Sequence, residues 1–177
     1  MPALVALLRG INLAKRRRVA MSDLRALLEE AGYEDVRTHL QSGNVVLTAT
    51  GSASALGRAI ETAFAKRFGF SADVVVRTKA QLDHVVEHDP FGAVADNGSR
   101  YFVAFLGKRA DKALVGMLES IGPGDDQFAV DGAELYVWCP NGLLDSPLMA
   151  ALNKYKKGPV TTVRNWNTVR KLATMLD

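Results

Sequence analysis

The chain has 177 residues, of which 48% are hydrophobic and 23% charged, with a formal net charge of +3. That is the composition of a globular domain or two small subdomains, and no apolar run approaches the roughly 18 residues of a membrane span. A single cysteine, Cys139, excludes an internal disulfide and suits a reducing cytoplasm.

The first strand is expected over Ala3–Arg9, an apolar run without alternation and therefore covered on both faces. Met1-Pro2-Ala3-Leu4 carries no basic segment ahead of it, so the stretch reads as a core strand and not as a signal peptide. The polar break Arg9-Gly10-Ile11-Asn12 leads into a basic loop, Lys15-Arg16-Arg17-Arg18; no acidic residue precedes Asp23. Ser22 is a candidate cap for a helix to about Ala31, closed by Gly32. Strands at Val36–Leu40 and Val45–Thr48 flank a Ser42-Gly43-Asn44 turn. A helix from Ser54 to Phe68 ends at Gly69, and a strand follows at Asp73–Arg77.

After a connector helix, Gln81–Glu87, and the break Asp89-Pro90-Phe91-Gly92, the same order returns. It comprises a strand at Tyr101–Leu106 and a helix at Asp111–Ser120 stopped by Gly122-Pro123-Gly124. Strands at Phe128–Val130 and Glu134–Trp138 then meet at an Asp131-Gly132 type I′ turn. Ser146 caps a helix from Pro147 to about Tyr155, Val160–Val163 closes the sheet, and Asn165 or Asn167 caps a last helix to Met175. The fold class is therefore α+β: two ferredoxin-like (βαββαβ) subdomains in tandem with a C-terminal helix. Residues 1–80 form the first, 81–98 the connector, and 99–177 the second with its helix. The halves share the order of their elements and no obvious residue repeat.

With strand order 4-1-3-2, the loop leaving strand 1 and the turn entering strand 3 lie at one end of the sheet. Arg9-Gly10-Ile11-Asn12 and Ser42-Gly43-Asn44 are expected to be neighbours. So are Gly107-Lys108-Arg109, Asp131-Gly132 and Lys156-Lys157-Gly158 in the second half. Loops on a rigid sheet edge are a usual seat of function.

Leu8-Arg9-Gly10-Ile11-Asn12, Met21, Gln41-Ser42-Gly43-Asn44-Val45-Val46, Asp89-Pro90-Phe91 and Arg164-Asn165-Trp166-Asn167-Thr168-Val169 together resemble the bacterial family known as domain of unknown function 1697. The chain departs from that pattern with Asp89 in place of Asn, and with Leu13-Ala14-Lys15 where relatives carry glycines. The resemblance implies two ferredoxin-like subdomains and a cytoplasmic protein, and no established activity.

The candidate ligand-binding residues are Arg9, Gly10, Asn12, Ser42, Gly43, Asn44, Arg164, Asn165 and Asn167. Guanidinium donors beside glycine, orienting amides and a helix N-terminus suit an anion. The competing reading makes the glycines and Asn44 turn residues, and Asn165 or Asn167 caps. His84-Val85-Val86-Glu87-His88 matches the H-x-x-E-H pattern of a zinc protease. The helix stops at Asp89-Pro90 and no third ligand is apparent, so no metal site is assigned. Tyr101, Phe105, Tyr136 and Trp138 are placed on one face as a stacking platform or as packing. There is no nucleophile elbow, Walker loop, G-x-G-x-x-G or Cys-x-x-Cys, and no cofactor is expected. The reading is a cytoplasmic module binding an anionic ligand, a nucleotide or nucleic acid, without membrane association. The alternatives are a small enzyme acting on a phosphorylated or carboxylated metabolite, and a structural or interaction subunit.

Overall fold

The computed structural model describes residues 1–13, 15–122 and 124–177. Ala14 of the basic loop and Pro123 of the expected Gly122-Pro123-Gly124 stop lie outside the described residues. Two compact units are formed, Met1–His84 with Lys171–Asp177, and Val85–Arg170. The sequence reading assigns the whole last helix to the second half. Its second half, from Lys171 on, groups instead with the first unit, where Arg37 Nη2 donates to the Met175 carbonyl at 2.6 Å and Lys79 Nζ pairs with Asp177 at 2.6 Å.

In the first unit the elements are β1 (Ala3–Arg9), α1 (Met21–Glu30), β2 (Glu34–His39), β3 (Asn44–Thr48), α2 (Ala53–Phe68), β4 (Asp73–Thr78) and the start of α3 (Lys79–His88), whose last residues belong to the second unit. The sheet order is β2-β3-β1-β4, all antiparallel. Leu4, Ala6 and Leu8 of β1 face one way and pack with Val45 and Leu47 of β3, Val74 and Val76 of β4, Leu24 and Leu28 of α1, and Ile60 and Phe64 of α2. The alternate residues Val5, Leu7 and Val46 are also fully buried, so β1 and β3 carry apolar residues on both faces, as the unbroken hydrophobic run implies.

Two local expectations are corrected here. Ser22 does not cap α1: Ala20 is the N-cap residue and supplies no side-chain cap. The start of the helix is held from outside, because the Val19 amide is fixed by Asn12 (below). The β2–β3 turn is not Ser-Gly-Asn but the four residues Leu40–Gly43, since His39 pairs with Asn44. Leu40 belongs to that turn at φ 60°, exposed, and Asn44 belongs to the strand. Gly69, left-handed at the end of α2, falls where expected, while the helix starts one residue earlier than Ser54 and is capped by Ser52.

The second unit contains β5 (Tyr101–Leu106), α4 (Lys112–Glu119), β6 (Gln127–Asp131), β7 (Glu134–Trp138), α5 (Pro147–Lys154), β8 (Thr161–Asn165) and the start of α6 (Trp166–Met175). Its sheet order, β6-β7-β5-β8, repeats the first. Asp111 caps α4 and Ser146 caps α5, each through its side chain. The hairpin loop is Gly132-Ala133, between the paired Asp131 and Glu134. Gly132 has φ 62° and Ala133 is not at positive φ, so the turn is not the expected type I′, which needs both residues there.

The halves share no extended residue repeat, but strand register brings out one short equivalence. Val5 of β1 lies between Val46 and Arg77, and Val103 of β5 between Tyr136 and Arg164. Three residues on, Leu8 N–H donates to Gly43 O at 2.9 Å and Leu106 N–H to Ala133 O at 2.8 Å, at equivalent positions. Val76-Arg77-Thr78 and Val163-Arg164-Asn165 each run from a closing strand straight into a helix capped by the third residue. Thr78 Oγ1 accepts from Gln81 N, and Asn165 Oδ1 from Thr168 N. A two-residue identity followed by a capping residue is too short to register without the pairing.

Gly43 combines φ +89° with a packed site: a Cβ there would lie 2.8 Å from Leu8 Cβ and 2.9 Å from Ile11 Cδ1. Gly43→Ala is expected to cost about 2–3 kcal/mol in urea unfolding, from backbone strain and overpacking together. Gly116→Ala in α4, where an added Cβ meets nothing within 4 Å, should instead gain about 0.5–1 kcal/mol.

Candidate anion-binding surface

The end of β1 and the β2–β3 turn meet as the topology requires. Beyond the Leu8–Gly43 bond, Asn12 Nδ2 donates to Gln41 O at 2.6 Å and to Val19 O at 3.1 Å, while Asn12 Oδ1 accepts from Val19 N at 2.8 Å. Asn12 sits at φ 51°, a left-handed conformation that asparagine tolerates. Its amide thus ties three chain segments together and is occupied by scaffold. Asn44 is equally committed. It is fully buried, and its Nδ2 donates to His39 O at 2.8 Å and Ser42 Oγ at 2.9 Å.

What Asn12 holds in place is a tight basic hairpin. Asn12 N donates to Arg17 O at 2.8 Å, Arg16 N donates to Leu13 O at 2.9 Å, and Leu13 and Arg16 form a bridge. Lys15, Arg16, Arg17 and Arg18 are all exposed. The Arg17 guanidinium lies 5.6 Å from the centroid of the Phe70 ring, a cation–π contact. Its Nη1 is only 3.7 Å from where a Cβ on Gly10 would be, so the bare Gly10 backbone (φ +87°) leaves room for it. Arg9 is half-buried at the strand end. It alternates with Leu8 and so points to the sheet face opposite α1 and α2; continuing the β1–β3 register sets Ser42 across from it. Among the described residues, neither Arg9 nor any of Lys15–Arg18 forms an ion pair. These four loop cations are absent from the residues chosen on sequence motifs. The signal for them was the lack of any acid before Asp23.

Arg164, Asn165 and Asn167 lie in the second unit, and each is engaged within it. Arg164 Nη1 donates to Thr162 Oγ1 at 2.8 Å and Val163 O at 2.9 Å; burial pushes its pKa down to about 10, which leaves it charged at neutral pH. Asn165 caps α6. Asn167 packs over Gly98, where a Cβ would collide with its side-chain amide. Trp166 stacks on Tyr101 at 4.6 Å between centroids. Arg164, Asn165 and Trp166 therefore each have a task inside the unit, while Asn167 is exposed.

The aromatic face is packing. Tyr101, Phe105, Tyr136 and Trp138 share one side of the second sheet and are all buried. Tyr101 Oη donates to Asp89 Oδ1 at 3.0 Å and Tyr136 Oη to Val85 O at 3.3 Å. Burial, first of all, drives both phenols well above the usual tyrosine range. No stacking platform is open to bases there. His84 and His88 stand one turn apart on α3, both exposed, with the His88 ring 5.5 Å from that of Tyr136.

A family profile described as "Protein of unknown function (DUF1697)" matches residues 1–136, well over half of the chain. The chain belongs to this family. The conserved bacterial protein SP0830 from Streptococcus pneumoniae is similar in fold, with a TM-score of 0.82 at 23% identity over 99% of each chain. At that identity the two proteins share architecture, and nothing of function follows. No curated protein matches. Among the described residues, no helix is long and apolar enough to cross a membrane.

Cys139 is fully buried and donates to Ser146 Oγ at 3.3 Å; desolvation raises its pKa to about 11. It should resist a thiol reagent at pH about 8 in the native state and react on unfolding. Because the folded pKa is raised, the stabilising effect of the protonated thiol is complete below the unfolded value near 8.5 and disappears as pH rises through about 11. Cys139→Ala should remove that component of the alkaline stability loss in pH-dependent melts. Asn165→Ala is expected to cost about 1 kcal/mol of thermal stability, with Asn165→Asp recovering most of it.

Proposed function

We propose that this protein is a non-enzymatic module that binds nucleic acid through phosphate contacts at the strand-end surface of its first unit. The contacting groups are Arg9, the backbone at Gly10, the cations Lys15–Arg18 and the exposed Ser42 of the β2–β3 turn. The observation that carries the reading is the basic hairpin. Four consecutive cations sit on a loop closed by its own backbone bonds and held by the Asn12 amide, with no acid pairing them among the described residues.

Preorganisation matters because an ordered cation loses less entropy when it meets a phosphate than a flexible one does. Phosphodiester backbones reward an array of such cations by releasing counterions, and arginine forks match phosphate oxygens. The exposure of all four loop cations supports an extended polyanion over a small metabolite. A cavity of about 440 Å³ in the first unit lies at the other end of β1. It is lined by Ala3, Thr48, Arg37, Glu29, Asp35 and Asp177, and so is remote from the cations and rich in acids. The lone, buried Cys139 supports a reducing, cytoplasmic setting.

Fluorescence anisotropy of labelled single-stranded RNA and duplex DNA over a potassium chloride series tests the proposal. Binding should be tight at low salt and weaken steeply as salt rises. Replacing Lys15, Arg16, Arg17 and Arg18 together by alanine should cost tenfold or more in affinity and flatten the log–log salt slope by about 2–3 on a single strand. Equal binding by the wild type and this variant, or none by the wild type at low salt, sinks the reading.

A further inference from the structure

The second unit repeats the corner that carries the basic hairpin in the first. β5 leaves its sheet at the position where β1 does, closed by Leu106 N–H on Ala133 O as β1 is closed by Leu8 N–H on Gly43 O. The loop after β5 is fixed twice more, by Gly107 N–H on Val160 O at 2.7 Å and Ala110 N–H on Gly132 O at 2.9 Å. The first of these draws the segment before β8 to the same end of the sheet. Lys108 and Arg109 of one loop and Lys156 and Lys157 of the other are thereby gathered there, all exposed. Arg109 Nη1 lies 3.5 Å from where a Cβ on Gly132 would be, so its guanidinium leans over the β6–β7 turn much as Arg17 leans over Gly10.

We propose that this corner is a second phosphate-binding site, for the same class of ligand and with lysine in place of most of the arginine. This rests on the nucleic-acid reading of the first unit. None of the four cations forms an ion pair among the described residues. The acids closest in sequence are otherwise engaged or outnumbered. The Asp111 carboxylate accepts from Leu114 N at 2.8 Å as a helix cap, and Asp131 and Glu134 flank the hairpin. An anionic membrane is the weaker match. Val160 is the only large exposed hydrophobic in loops 107–110 and 155–160, too little apolar area to anchor in a bilayer. Lysines on short, tethered loops serve a sequence-independent backbone contact, which needs point charges and no bidentate geometry.

The test uses the full chain, a labelled single-stranded RNA and the same salt series. The variant is Lys108→Ala/Arg109→Ala/Lys156→Ala/Lys157→Ala; all four positions are exposed, and an unchanged melting temperature confirms the fold. The expected result is a tenfold or greater loss of affinity with the salt slope reduced by about 2–3, in addition to the loss from the first-unit variant. If this variant binds like the wild type while the first-unit variant is impaired, the second site is overturned and the first stands. If only this variant is impaired, the second site stands and the reading of the first unit falls. Binding of either unit's cations to anionic phospholipid vesicles in preference to RNA, or no RNA binding at low salt, removes both.

Discussion

The bond from Leu8 N–H to Gly43 O closes the end of the central strand against the turn beside it, and much else depends on that closure. It holds only because residue 43 has no side chain: Leu8 Cβ and Ile11 Cδ1 occupy the space a Cβ would need. Once the turn is drawn in, Gln41 O comes within 2.6 Å of Asn12 Nδ2, and Asn12 in turn fixes Val19 at the start of α1. A backbone hydrogen bond contributes about 1 kcal/mol net. Its larger effect here is geometric, since it decides where a basic loop begins and ends. The second unit makes the same bond from Leu106 to Ala133 and again sets exposed cations beside it.

Amides and charges divide the work at this corner. Asn12, Asn44 and Asn165 all look like ligand donors in a motif, and all three spend their side chains on the chain itself. Buried or half-buried amides must satisfy both donor and acceptor, and the nearest partners are backbone groups. Arginine and lysine at exposed loop tips face no such demand. They remain solvated, and an unpaired cation in water costs little until a phosphate arrives. The residues best suited to hold an anion are thus the ones with the least distinctive sequence context.

Strand and helix positions were readable because hydrophobic period, glycine stops and side-chain caps are local signals. Ala3–Arg9, Tyr101–Leu106 and Glu134–Trp138 appear with their expected bounds, and Ser146 and Asn165 cap as expected. Ser22 is not the cap because α1 starts ahead of it, at Met21 with Ala20 in the cap position, just after the Val19 amide that Asn12 holds from seven residues earlier in the chain. The β2–β3 turn was misread by two residues because Asn44 is a good turn residue by propensity but is fully buried as a strand residue. Half of the expected site was legible in the same sense. The meeting of Arg9-Gly10 with Ser42-Gly43 follows from strand order, whereas the burial of Arg164 depends on what covers its strand.

The amino-acid sequence by itself determined the order βαββαβ twice over, the strand arrangement that this order favours, and the basic excess ahead of Asp23. These are properties of local pattern and composition, which act before any long-range contact forms. Only the tertiary structure decided which polar groups remain available. Arg164 is turned inward onto Thr162 and the Val163 carbonyl, and Asn12 is consumed by loop closure, while Lys15–Arg18 are left on the outside. It also exposed the equivalence of Arg77 and Arg164, which rests on register across strands. The physical reason is the same in each case. A polar side chain's role is set by the partners that folding brings within about 3 Å, and those partners are distant in sequence.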